Sequence, residues 1–417
     1  MRAAKLRKEV FEMNTILRTS SNFDDNDAIL FELTSGLVCT GADSLAVLLC
    51  DSQLDCGALV PVVRNTLGCP VVGGTSLTFP ISDAVGGDIS ASLMLVSKAG
   101  MKHAAILSEP LAAGMQERQI GTACSEAAAA LGEEPKLLIA FFPHMPGFPT
   151  GDFIEELLRA AGETPVFGGA TTGDLISTRA AVFHDGAAYM DRMVLIAVGG
   201  DVRPVFATCN VVSRIADHAP TVTKSEGEVV YRVDDMTLCA YMESIGISPE
   251  DRVNGVDALM QYGPLPVQLD LSGVAEGPDD GVPEVSCISY TSPEEGCAAF
   301  SRPIPEGTRI IPSLLTREDI EESARRCLDE ILQKIEANER AGDGYVYETL
   351  SCVSCVARYF MMVGGSNCER AMLADKIPRR LIADGYYGFA EVGPTCDRRN
   401  GRIVNRAHSA SIVMCAL

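Results

Sequence analysis

One seven-residue phrase is written twice in this chain, as Pro70-Val71-Val72-Gly73-Gly74-Thr75-Ser76 and as Pro165-Val166-Phe167-Gly168-Gly169-Ala170-Thr171. The proline, the first valine and both glycines coincide. The flanks repeat too. An apolar run precedes each copy (45–50 and 137–142), followed by a polar loop and a helix-like stretch, and a turn-rich segment with another apolar run follows (91–96 and 193–198). Self-similarity of this kind predicts one α/β unit used twice. The runs at 45–50 and 137–142 are continuously apolar, as strands covered on both faces require. The predicted fold is therefore α/β, with a duplicated α/β unit in an N-terminal domain and a second, mixed α+β domain after it.

A chain of 417 residues exceeds what one core usually supports, so two or three domains are expected. The formal net charge of −22 disfavours nucleic acid and anionic membranes, which would be repelled rather than neutralised. Nowhere do ~18 apolar residues run together, so no membrane span is expected. Residues 1–10 carry four cations, but no apolar core of a secretory segment follows. The 15 cysteines are scattered, and several (Cys50, Cys239, Cys327, Cys415) sit inside apolar runs as small hydrophobes. A reducing cytoplasm suits them.

Helices are predicted over 2–18, from Asp24 or Asp25 to Leu37, and over 56–67, 121–131 and 150–162, where Gly162 supplies the stop. Residues 174–208 read as successive strands, turning at His184-Asp185-Gly186 and Gly199-Gly200-Asp201. A boundary is expected at 217–227, giving an N-terminal extension (1–29), a first domain (30–220) and a second (225–417). In the second, residues 234–245 are helix-like, 285–288, 298–302 and 309–311 strand-like, and 305–308 a turn. Thr316 caps the clearest helix, with Asp319 three residues on and apolar residues at spacings of three and four. Residues 345–357 and 402–417 read as strands.

The Gly-Gly pairs are read as turns after strands, where glycine permits positive φ and leaves main-chain N–H groups uncovered. Ligands of open α/β sheets lie beyond the carboxyl ends of strands. That nominates Gly73, Gly74, Thr75 and Ser76 in one copy, and Gly168, Gly169, Thr171, Thr172 and Asp174 in the other, as a small-ligand cradle. The alternative is that both pairs serve packing alone. No phosphate-loop pattern is present. Cys352 and Cys355 would point to opposite faces of a strand, which opposes a shared metal, and no metal or cofactor is expected. Arg358, at the end of that strand, needs an anionic partner from the chain or from a ligand. Residues 385–394, with Tyr386, Tyr387, Phe389 and Glu391, either line a pocket or form a strand edge on which Glu391 pairs with Arg358. Hydrolase and metalloprotease motifs are absent. The histidines are dispersed, with His144 on the expected ligand side; a Cys–His pair brought together only by folding stays open.

Taken in order along nearly the whole chain, these stretches resemble the FIST family, a two-part intracellular sensory module. The N-terminal part corresponds to residues 30–220, with the Gly-Gly phrases and Phe183-His184-Asp185-Gly186-Ala187. The C-terminal part corresponds to 225–415, with the helix at 234–245, Ile304-Pro305-Glu306-Gly307-Thr308, Ser354-Cys355-Val356-Ala357-Arg358 and Gly388-Phe389-Ala390-Glu391. Where the family often closes with His-Asn-x-Thr, this chain has His408-Ser409-Ala410-Ser411. The resemblance implies a cytoplasmic protein that binds a small polar metabolite, an amino acid being one candidate. With no output domain in view, it would signal through a partner or as a homo-oligomer, closing over its ligand through Arg358 and Glu391. An enzyme using a cysteine or acid–base pair in the interdomain cleft, and a protein-binding scaffold, are the competing readings.

Overall fold

The computed structural model describes residues 15–37, 44–77, 89–145, 148–173, 180–211, 219–254, 261, 264–272, 274, 279–313, 316–341, 344–362 and 368–417, and in it the α/β unit occurs three times. The first unit runs β1 (Thr15–Ser20), α1 (Asn26–Thr34), β2 (Leu45–Asp51), α2 (Cys56–Leu67), β3 (Val71–Ser76) and β4 (Ala91–Val96). The second runs β5 (Met101–Leu107), α3 (Gln116–Leu131), β6 (Leu137–Pro143), α4 (Thr150–Ala161), β7 (Val166–Thr171), a hairpin of β8 (Val182–His184) and β9 (Ala187–Tyr189), and β10 (Val194–Gly200).

The third unit opens with β11 (Val205–Asn210) and is interrupted by an insert with its own sheet. That insert comprises β12 (Val222–Glu226), β13 (Val229–Val233), β14 (Met236–Thr237), α5 (Leu238–Ser244), β15 (Leu265–Asp270), β16 (Glu284–Ser292), β17 (Cys297–Phe300) and β18 (Arg309–Pro312). The unit resumes with α6 (Arg317–Arg340), β19 (Thr349–Cys355), α7 (Val356–Met361), α8 (Cys368–Ala374), β20 (Ile382–Gly388), a hairpin of β21 (Glu391–Cys396) and β22 (Ile403–His408), and β23 (Ser411–Ala416).

Pairing proves the equivalence. The three sheets read β1-β4-β2-β3, β5-β10-β6-β7 and β11-β23-β19-β20. In each, only the last pair is parallel (β2–β3, β6–β7, β19–β20). Each sheet then borrows from the next unit: hairpin β8–β9 extends the first sheet beside β3, and hairpin β21–β22 extends the second beside β7. The inner faces meet in one core holding Leu49 and Val72, Phe141 and Ile196, and Val353 and Val413. Helices cover the outer faces, α1 and α2 on the first sheet, α3 and α4 on the second, α6 on the third. A strand buried on both sides has no reason to alternate polar and apolar, hence the unbroken runs. Each such Leu, Ile or Phe contributes roughly 1.5–3 kcal/mol.

Local signals placed several elements correctly. Asp25 caps α1, its carboxylate accepting from the Asp27 and Ala28 amides at 2.9 and 3.1 Å. Thr316 and Asp319 form a reciprocal capping box at α6. Four expectations are corrected. Thr15–Ser20 is strand β1 rather than the end of a helix, because the β4 edge pairs it from Ala91 to Val96; the rest of that expected helix lies outside the described residues. Strand β19 stops at Cys355, so Arg358 lies in the first turn of α7. Residues 402–417 make two strands, β22 and β23, rather than one.

The glycine phrases are the fourth correction: they lie inside β3 and β7, not in turns after them. Gly73 and Gly168 have φ of +136° and +141°, and a Cβ there would sit 1.9 and 2.0 Å from the carbonyl oxygens of Leu48 and Ala140. Only glycine tolerates either condition. Each pairs with the fourth residue of the neighbouring strand, and Gly385 pairs likewise with Cys352 in the third unit.

Candidate functional site

Strands β3, β7 and β20 converge at their carboxyl ends, where side chains stitch the three units together. The Tyr387 amide donates to Ser76 Oγ (3.0 Å), and the Thr172 hydroxyl donates to the Tyr387 carbonyl (2.8 Å) while accepting from the Leu77 amide (3.0 Å). The Thr172 amide reaches the Thr75 carbonyl at 3.2 Å. Tyr386 donates its hydroxyl to the Gly169 carbonyl at 3.1 Å.

Several residues nominated from sequence are used up by this packing. Gly73 and Gly74 pair with both β2 and β8, and Gly168 and Gly169 with both β6 and β21, so their main-chain groups belong to ladders. Gly74 is small because β7 crosses it: a Cβ would lie 2.4 Å from Thr171 Cγ2. Thr75 is held through its amide and hydroxyl to Ala181. Asp174 lies outside the described residues.

Arg358 does not meet Glu391; its partner is Glu369 of α8. The guanidinium is fully buried. It donates through Nε and Nη2 to Glu369 Oε1 (3.0 and 2.6 Å), through Nη1 to Ser323 Oγ and the Ala410 carbonyl (2.9 and 3.4 Å), and through Nη2 to the Ile320 carbonyl (3.0 Å). Those bonds occupy all five N–H groups that an arginine offers. Burial opposes the charge, but the Glu369 carboxylate outweighs it and holds Arg358 above its ordinary pKa. The other oxygen of Glu369 accepts from Ser354 Oγ (2.9 Å) and the Tyr387 hydroxyl (2.8 Å). This knot fixes α7 and α8 against α6 and leaves nothing for a ligand.

Three unsatisfied groups lie on β7, on β21 and just after β6. Thr171 Oγ1, His144 Nδ1 and Glu391 Oε1 are buried without a hydrogen-bond partner. Thr171 pairs with Pro143 across β6–β7, and its carbonyl accepts from the His144 amide at 3.1 Å. The His144 ring stacks on Phe389, centroids 3.7 Å apart, and the Phe389 amide donates to the Ala170 carbonyl at 3.0 Å. Glu391 pairs with Gly169, and its Oε2 accepts from Ser411 Oγ at 3.0 Å.

Both ionisable groups are neutral at pH 7. Burial holds His144 down to about 4. Burial pushes Glu391 up to about 8, against the smaller pull of its hydrogen bond from Ser411. A protonated carboxyl and a neutral imidazole offer both donor and acceptor without a buried charge. Unmet hydrogen-bonding capacity of this kind is costly in an interior unless something answers it. Of the nominated residues, Thr171 and Glu391 carry such free atoms; His144 carries the third, foreshadowed only by its place after the strand at 137–142.

Residues 44–236 match the family model described as FIST N domain, which is consistent with a FIST-family protein. No curated protein matches it. Among solved structures, the chain is similar to a cyanuric acid hydrolase from A. caulinodans at 12% identity and a TM-score of 0.26, over 48% of this chain and 71% of that one. A second cyanuric acid hydrolase, described as an evolutionary innovation by structural concatenation, aligns over 96% of this chain and 98% of that one at 8% identity and a TM-score of 0.33. At such scores neither likeness bears on what this chain does. No helix among the described residues is long and apolar enough to cross a membrane.

Proposed function

We propose that this protein is a small-ligand sensor whose ligand lies at the carboxyl ends of β6 and β7 beside β21. The observation that carries it is the trio of buried, unpartnered polar atoms, Thr171 Oγ1 on β7, His144 Nδ1 in the residue after β6, and Glu391 Oε1 on β21. A small polar metabolite with donor and acceptor groups, an amino acid among the candidates, would satisfy them. Thr172, Ser76 and Tyr387 then act as framework that holds the strand ends in register.

Such a ligand would bridge two parts of the chain. Strands β6 and β7 belong to the segment matched as FIST N domain, and β21 lies beyond it. Contacts to both favour the closed arrangement by as much as their differential affinity, which is how occupancy would reach a signalling partner. The free, mostly buried cysteines among the described residues suit a reducing cytoplasm. Thermal-shift and calorimetric screening against amino acids and organic acids tests the proposal. Ligand at 100 times its Kd stabilises by about 2.7 kcal/mol, and Thr171→Val with Glu391→Gln should abolish that gain. A gain that survives the double variant, or none from any compound, removes the proposal.

One observation favours catalysis instead. A buried carboxyl titrating near pH 8 can exchange a proton at neutral pH. Mass spectrometry of a stabilising compound after incubation decides: unchanged compound supports the sensor, conversion supports the enzyme.

A further inference from the structure

An opening lies along the third unit, lined by none of the residues of the strand-end site. Strand β11 is the free edge of its sheet. Along that edge runs a groove of about 680 Å³, walled by α6 on one side and by β21 with the 280–283 segment on the other. Its floor contains two further buried polar atoms without partners, Thr208 Oγ1 and Asn210 Oδ1. The residues are only 5% and 2% exposed. Asn210 Nδ2 donates to the Pro283 carbonyl at 2.8 Å, which fixes the amide so that the unmet atom is the oxygen. Whatever sits there must bring a donor.

The walls supply positive charge. Arg326 and Arg398 both line the groove, and neither has a carboxylate partner among the described residues. Arg326 donates to the Asn210 carbonyl at 2.8 Å and also lies beside the Cys209 thiol in the same groove. Lys334 is shared between Glu330 (2.6 Å) and the Phe206 carbonyl (2.8 Å), and Asp280 is neutralised by Arg406. In a chain of net charge −22, which repels anions in general, this local cationic surplus is where an anion would be received.

The same bonds decide the size of the guest. An added β-strand would need the outward carbonyls of β11, but those of Phe206 and Asn210 are already occupied by Lys334 and Arg326. An extended peptide is thereby disfavoured, and a compact molecule fits. We propose that this groove is a second ligand site, for a small organic acid that sets a carboxylate against Arg326 and Arg398 and a hydroxyl or ammonium donor against Asn210. Guanidinium forks match carboxylates, and the amide oxygen selects acids that also donate.

The test is calorimetric titration of the full chain with malate, aspartate and succinate, which share a carbon skeleton and differ in whether they carry a donor. Malate or aspartate should bind at least tenfold more tightly than succinate, and Asn210→Leu should erase the difference. Arg398→Met, a rim substitution, should weaken every acid that binds by tenfold or more; Arg326→Met should do the same. Thr171→Val with Glu391→Gln should change nothing here, which separates this groove from the strand-end site. No binding by malate or aspartate, equal binding by succinate, or binding indifferent to Arg398→Met would overturn the proposal.

Discussion

Replacing Glu391 by Gln should make the protein more stable, and by an amount that depends on pH. The carboxyl is fully buried, and burial raises it from an ordinary 4.5 to about 8. In the unfolded chain it is ionised at pH 7; in the fold it keeps its proton. Between pH 4.5 and 8 the native state therefore binds more protons than the unfolded one, and stability falls as pH rises. At 1.36 kcal/mol for each pH step, the loss between 4.5 and 7 is about 3 kcal/mol, and it levels off above about 8. Gln has the shape of the protonated carboxyl and keeps the bond from Ser411, but it does not titrate. Urea unfolding followed by circular dichroism, on both proteins between pH 5 and 8, should show curves that nearly coincide at pH 5. They should part by about 3 kcal/mol at pH 7, with Glu391→Gln the more stable. A difference that does not vary with pH, or a variant less stable at pH 7, would refute the reasoning.

Three further outcomes are expected. Arg358→Met strands the Glu369 carboxylate in the core and should cost about 3–5 kcal/mol in urea unfolding; Arg358→Lys should not rescue it, because one ammonium cannot fill five donor positions, and a Lys protein of native stability would contradict this. Gly168→Ala should lower the melting temperature sharply, by more than about 2 kcal/mol of stability, whereas Gly121→Ala, inside α3 with nothing within 4 Å of its added methyl, should raise it; equal effects would rule out the close approach at Gly168. The His144 ring should stay neutral in nuclear magnetic resonance titrations until about pH 4, with stability falling as pH drops from 6.5 towards that value; a midpoint near 6.5 would place the ring in solvent.

What was legible in the sequence was whatever is written locally. The capping box at Thr316 and the spacing along α6 lie within a few turns of each other, as do Asp25 and α1. Strand β1 was not legible, since Ile16 and Leu17 suit a helix until β4 arrives from much later in the chain. The third copy was hidden twice over: an insert separates β11 from α6, and β20 has Tyr386-Tyr387 where β3 and β7 have Gly-Thr and Gly-Ala. The glycine phrase signalled close backbone approach, which turns and tightly crossed strands share. Thr171 and Glu391 could be nominated from their positions, but nothing short of the fold could pick Glu369 as the partner of Arg358 from 56 acidic residues.

Because β11 leaves the second unit and, among the described residues, pairs with β23 alone, the chain cannot be completed in the order in which it is synthesised. Each borrowed hairpin has the same effect: β3 and β7 wait for segments made after them. A nascent chain carrying all of the FIST N match would still expose an open sheet edge and the face of the shared core that Val353, Tyr386, Val413 and Cys415 complete. Maturation thus waits for the third unit, and cutting the chain between the second unit and the third should yield two insoluble fragments.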